Sequence, residues 1–138
     1  MTAPDSRIRH DLTAQVVGQF FHTQQEKDLD AWLSLWNDRG VFIISYPADG
    51  FPDRIEGKAA LAQQFRAMFE RYESVRFHDI DIQPLLDADR VVVTWTGEVD
   101  FRAGGTATSP MIALFTVSDG KILRCNEYFD PRIFAAAH

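Results

Sequence analysis

Apolar positions in the first third of the chain recur at helical spacing. Between residue 8 and about residue 25 they fall at Leu12, Val16, Val17, Phe20 and Phe21, interrupted only by Gly18, which predicts an amphipathic helix. Asp28 has the chemistry of an N-cap. Leu29, Trp32, Leu33 and Trp36 follow at i, i+3, i+4 and i+7 and predict a short second helix, ended by Asn37-Asp38-Arg39-Gly40. Residues 41–46 are β-branched and aromatic and read as a strand, with a loop from Pro47 to Arg54. A third helix is predicted over 58–72, with Leu61, Phe65, Met68, Phe69 and Tyr72 on one face.

Beyond that helix the period changes to two. Residues 76–86, 91–101, 108–117 and 121–129 predict four consecutive antiparallel strands, separated by short segments rich in Asp and Gly that suit hairpin turns. In 91–101 the alternation is clean, with Val91, Val93, Trp95, Gly97, Val99 and Phe101 against a polar face, whereas 108–117 is apolar on both faces. Helices followed by an antiparallel sheet make an α+β fold in a single domain over 1–138. A strongly curved sheet wrapped round helices leaves a cone-shaped interior able to hold a ligand.

The last strand carries the most informative anomaly. Read with period two, Leu123, Cys125, Glu127 and Phe129 share one face, against Ile122, Arg124, Asn126 and Tyr128, so one carboxylate sits on the apolar face. Placing an ionised carboxylate in a dry interior costs several kcal/mol unless it is paired, or else its pKa rises until it is neutral. Glu127 therefore has a partner or a use. On residues 76–82, Arg76, His78, Ile80 and Ile82 share the more apolar face, so His78 is the second candidate.

Composition narrows the function. The 138 residues are 46% hydrophobic, enough for a sizeable core, and the net charge of −6 with scattered Lys and Arg argues against nucleic acid. No apolar run approaches the ~18 residues of a membrane span, and the N-terminus has no apolar signal-type segment. Cys125 is alone, so a disulfide within the chain is impossible and a cytoplasmic, reducing location is expected. The histidines show no metal-ligand spacing: His10, His22 and His138 lie in helical or terminal segments, and no metal is expected. Phosphate-binding glycine loops and nucleophile elbows are absent.

The order of helix, Asp28 corner, Trp32-Leu33-Ser34-Leu35-Trp36, strand, Ile55-Glu56-Gly57-Lys58, helix, four strands, and Asp119-Gly120-Lys121-Ile122 leading to Glu127-Tyr128-Phe129-Asp130-Pro131 resembles the nuclear-transport-factor-2-like superfamily. Within it the chain is most similar to the SnoaL-like and PhzA/PhzB-like branches. The resemblance covers nearly the whole chain and implies a cone-shaped roll that often forms homodimers. In the phenazine-biosynthesis branch a Glu near the C-terminus and a His on the first strand after the third helix face the pocket, and Glu127 and His78 match those positions. In the related ketosteroid isomerases the catalytic positions correspond here to Tyr46, Phe20 and Ile112, which argues against steroid-isomerase chemistry.

These readings make Glu127 the expected proton donor and acceptor, with His78 supporting it. Tyr46 is a candidate hydrogen-bonding hydroxyl and Arg54 a clamp for an acidic ligand, with Trp95 and Trp32 as apolar walls. Each has a plainer alternative: an ion pair with a nearby Arg or a strand end frayed into solvent for Glu127, a backbone partner for His78, the core for the tryptophans, and solvent for Tyr46 and Arg54. The expected function is binding of a small, mostly apolar cyclic or aromatic molecule with cofactor-free acid/base catalysis. The alternatives are a ligand-binding or dimeric accessory module without chemistry, or a structural domain with a filled cavity.

Overall fold

The computed structural model describes residues 3–132. The chain folds as α1 (Ala3–Gln25), α2 (Leu29–Ser34), β1 (Trp36–Ile44), β2 (Arg54–Glu56), α3 (Lys58–Arg71), β3 (Tyr72–Pro84), β4 (Arg90–Phe101), β5 (Thr106–Ser118) and β6 (Lys121–Tyr128). The six strands form one curled, open sheet in the order β2-β1-β6-β5-β4-β3. Every neighbouring pair is antiparallel except β1 and β6, which run parallel. This is the α+β arrangement expected from the pattern.

Helix α1 buries Thr13, Val17, Phe20 and Phe21 against the sheet and leaves Leu12 exposed, so the inward stripe is rotated slightly from the predicted one. Asp28 caps α2 as expected, its carboxylate accepting from Ala31 N at 3.1 Å. Trp36 is not helical. Leu35 ends α2, its carbonyl accepts from Ile122 N at 2.7 Å, and Trp36 opens β1 opposite Ile122. A register shift between Trp36 and Val41 absorbs the polar Asn37-Asp38-Arg39 segment. Gly40 is required there, because a Cβ would lie 2.5 Å from Trp36 Cε3.

Two further elements differ from the pattern. Arg54–Glu56, expected as loop and helix start, is a short strand that pairs with β1 and buries Ile55. Tyr72, expected at the end of the third helix, adopts extended backbone and begins β3 with no intervening loop.

Two bulges set which side chains face inward. From Val75 to Ile82 on β3 the partners run only from Val99 to Val93 on β4, seven steps against six, and the extra residue sits at Asp79, whose φ is +56°. On β6, Val117 pairs with Ile122 but Thr116 with Arg124, so Leu123 is the extra residue and Ile122 takes the buried place predicted for it. The core is strongly aromatic, with Phe20, Trp32, Trp36, Phe65 and Phe115 all buried.

Candidate functional site

Between α1, α3 and the concave face of the sheet lies a cavity of about 840 Å³ including its open mouth. Its walls are mostly aromatic and aliphatic: Phe20 and Phe21 of α1, Phe42 of β1, Phe65 and Met68 of α3, Phe77 of β3 and Phe129 after β6. The segment after β1 contributes Ala48 and Phe51, and the Arg71 guanidinium lies 5.4 Å from the Phe51 ring centroid. Four polar side chains interrupt this apolar lining: Gln24, Tyr72, Trp95 and Glu127.

Glu127 stands where alternation places it. Strand β6 is flanked by β1 and β5, with Glu127 opposite Ile44 on one side and Ala113 on the other, and Cys125 fully buried on the same face. Among the described residues its carboxyl has no hydrogen bond or ion pair, and what surface it retains opens into the cavity. Removal from water is the cause that pushes its pKa up from 4.5 to about 8. Burial, and then the Glu127 charge, hold the Tyr72 hydroxyl and the Cys125 thiol above their ordinary values, which marks both as neighbours of the carboxyl. Among the described residues no Lys, Arg or His lines the cavity.

The structure corrects the expectation for His78. The bulge at Asp79 puts Val75 and Phe77 on the cavity side, so His78 points to the outer face of the sheet with its side chain 48% exposed. There its Nδ1 lies 3.0 Å from Asp79 Oδ2 and its Nε2 3.7 Å from Glu98 Oε1. Ile80, predicted on the same apolar face, is likewise exposed.

Of the binding candidates, only Trp95 lines the cavity, its ring edge-on to Phe21 at 4.8 Å between centroids. Trp32 is completely buried behind the wall, stacked on Phe65 at 4.2 Å, because α2 turns its apolar side toward α3. Tyr46 lies beyond the end of β1, 63% exposed, with its ring 6.4 Å from that of Tyr128. Arg54, on the edge strand β2, is half exposed and paired with Glu56. Neither Tyr46 nor Arg54 touches the cavity.

Sequence reasoning missed Gln24 and Tyr72. Gln24 continues the Thr13, Val17, Phe20, Phe21 stripe at helical spacing, a signal its polarity concealed. Helical spacing puts Tyr72 on a helix face, and its place in the cavity comes from the switch to extended backbone where β3 begins. Among the described residues no group of three or more His, Cys, Asp or Glu is placed to hold a metal ion; His138 lies outside those residues. No helix among them is long and apolar enough to cross a membrane.

Comparison with known proteins supplies the family. The SnoaL-like domain matches residues 17–125, from the inward stripe of α1 to the strand that carries Glu127. The chain belongs to the SnoaL-like family. This SnoaL-like chain is 26% identical over 129 residues to the uncharacterized protein YesE of Bacillus subtilis, covering 92% of the chain and 87% of YesE. Its fold is shared with a phenazine biosynthesis-related protein, PhzB2, of Pseudomonas aeruginosa, at 18% identity and TM-score 0.84, over 99% of this chain and 90% of that one. It is shared also with Δ5-3-ketosteroid isomerase of a Mycobacterium species, at 22% identity and TM-score 0.78, over 88% and 95% of the two chains.

Proposed function

We propose that this SnoaL-like protein binds a compact, mostly apolar cyclic or aromatic molecule and moves a proton on it without a cofactor, with Glu127 as the acid/base group. The observation that carries the reading is a single carboxyl, with neither ion pair nor hydrogen bond among the described residues, facing an aromatic cavity. Structural neighbours that include a steroid isomerase and a phenazine biosynthesis-related protein support cofactor-free chemistry of this general kind. A pKa near 8 leaves the acid dominant at neutral pH and about a tenth of the groups ionised, so both forms needed for a proton cycle are populated.

The chemistry follows from those two forms. The Glu127 carboxylate removes a proton from a carbon next to a carbonyl, the C–H electron pair moves into a C=C bond, and the carbonyl oxygen takes up the charge. Return of the proton from the Glu127 carboxylic acid to a different atom gives an isomerisation, and to a leaving group a dehydration. The apolar walls exclude water and keep the carboxyl at its raised pKa.

Exchange of the C2 protons of 1-tetralone in D₂O, followed by proton NMR, tests the assignment. The protein is expected to accelerate exchange and E127Q, which keeps the shape and loses the proton, to abolish the acceleration. Equal acceleration by E127Q overturns it. The second reading is a ligand-binding module, favoured by the outward orientation of His78, which puts its ring on the other side of the sheet from Glu127. Saturable binding of aromatic ligands with no exchange above background selects that reading. We also carry a homodimer as part of the proposal, to be read by light scattering.

A further inference from the structure

Two buried polar atoms of cavity-lining residues have no hydrogen-bond partner among the described residues. Trp95 Nε1 and Gln24 Oε1 are both buried and have no hydrogen-bond partner, although each residue lines the cavity. An orphaned buried donor and acceptor each cost free energy that a ligand recovers on binding. Trp32 Nε1 and Trp36 Nε1 are also without partners, but neither residue reaches the cavity, so they serve as internal references.

Several contacts bring the two orphans to the same end of the cavity. The Phe21 ring lies 4.8 Å from that of Trp95 and 5.5 Å from that of Phe77. One helical turn on from Phe21, the Gln25 side chain accepts from Phe77 N at 2.8 Å, which fixes this end of α1 against β3 beside Gln24. Phe77 pairs with Gly97 on β4. Gly97 lines the cavity, and a Cβ there would come within 3.0 Å of Met111 Sδ and 3.7 Å of both Phe77 Cε1 and Trp95 Nε1, so the missing side chain lets these three groups close on the backbone at this end of the cavity. Glu127 lies two strands away from Trp95, ~10 Å across the sheet, and two residues along it.

We infer that Trp95 Nε1 and the Gln24 carboxamide form a specificity pole that recognises a ring-borne hydroxyl group, which accepts from the indole N–H and donates to the Gln24 oxygen. A tryptophan N–H only donates, so its partner must be an acceptor, and Gln24 Oε1 only accepts, so its partner must be a donor. A hydroxyl supplies both from one atom. The inference rests on the proposed reading of the cavity as a small-ligand site and adds to it the kind of molecule bound: an otherwise apolar bicyclic or similar ring compound with a hydroxyl at the end remote from Glu127.

Three probes of nearly equal shape test the pole: 2-naphthol (donor and acceptor), 2-methoxynaphthalene (acceptor only) and 2-methylnaphthalene (neither). Hydrophobic transfer alone favours the methyl compound over the naphthol. The expected order is the reverse, naphthol over methoxy over methyl, each step being several-fold and the whole about tenfold in Kd. In ¹H–¹⁵N spectra the Trp95 Hε1 resonance should move downfield with the first two probes and not with the third, while those of Trp32 and Trp36 stay in place. W95F should erase the methoxy-over-methyl step and Q24L the naphthol-over-methoxy step. Circular dichroism checks that each variant is folded, and the wild-type titration stands without them. Equal affinities, failure of all three probes to bind, or a Trp95 Hε1 signal no more responsive than its references would overturn the inference. E127Q should keep the same ranking, so loss of proton exchange without loss of ranking, or the converse, tells the two proposals apart.

Discussion

Two carboxylates on one sheet have opposite fates. Asp100, near the end of β4, accepts from Ser74 Oγ at 2.8 Å, Thr106 Oγ1 at 2.9 Å and the Arg76 guanidinium at 3.1 Å, and these bonds hold its pKa below the usual range. Glu127, on the concave face, has no such partner among the described residues, and burial pushes it to about 8. The first is a charge satisfied by a solvated network of the kind that contributes little to stability. The second retains a desolvation cost that nothing within the described protein offsets, as is usual for groups whose energy is used in binding or catalysis. What separates them is whether donors converge on the group.

The largest expected effect lies on the concave side. E127Q should lower the rate of proton exchange at least ~100-fold, and the wild-type rate should rise with pH through about 8 and then level, because the carboxylate is the form that removes the proton. A wild-type rate that is flat from pH 6 to 9 would break the contrast between the two carboxylates.

Next in size is stability. Because the folded pKa of Glu127 lies above its unfolded value of 4.5, the folded state binds the extra proton between about pH 4.5 and 8. Wild-type stability should therefore fall by up to about 1.4 kcal/mol per pH unit across that window from this group. Tyr72 and Cys125, which face it, stay neutral throughout because their own values are raised. Thermal melts of E127Q should lack this slope, leaving the variant more stable than wild type at pH 9 and nearly equal to it at pH 4. A less stable E127Q at pH 9 would mean that the charge has a partner.

The outer face should respond weakly. D100N removes a carboxylate whose folded pKa is lowered, so its contribution is present at neutral pH and disappears as pH falls through that value. The melting midpoint at pH 7 should change by no more than about 2 °C, and the difference should vanish in acid. Smallest of all, H78A should leave proton exchange within about twofold of wild type, since the His78 ring is on the other side of the sheet. A hundredfold loss in H78A would place His78 back in the proton pathway.

Much of this was legible in the chain. Helical spacing located α1 and α3, the Asp28 cap located α2, and alternation assigned the facing sides of β4 and the inward position of Glu127. Two of the misreadings share one cause. His78 precedes a one-residue insertion at Asp79 and Leu123 is one itself, and a single extra residue reverses the facing of the side chains on either side of it without altering the composition that a periodicity count reads. Trp36 continued a helical stripe yet became a strand, because its pairing partner, Ile122, lies far along the sequence.

The sequence by itself determined the α+β class, the aromatic richness of the interior and the presence of one carboxylate on an apolar strand face. These are local properties of spacing and residue type. The tertiary structure alone decided that this carboxylate has no partner among the described residues, that His78 turns away from it, and that Gln24 and Trp95, each with a buried polar atom left unpaired among those residues, line the same cavity. Whether a polar group is paired depends on what distant strands and helices bring within about 3 Å of it, and no local pattern carries that information.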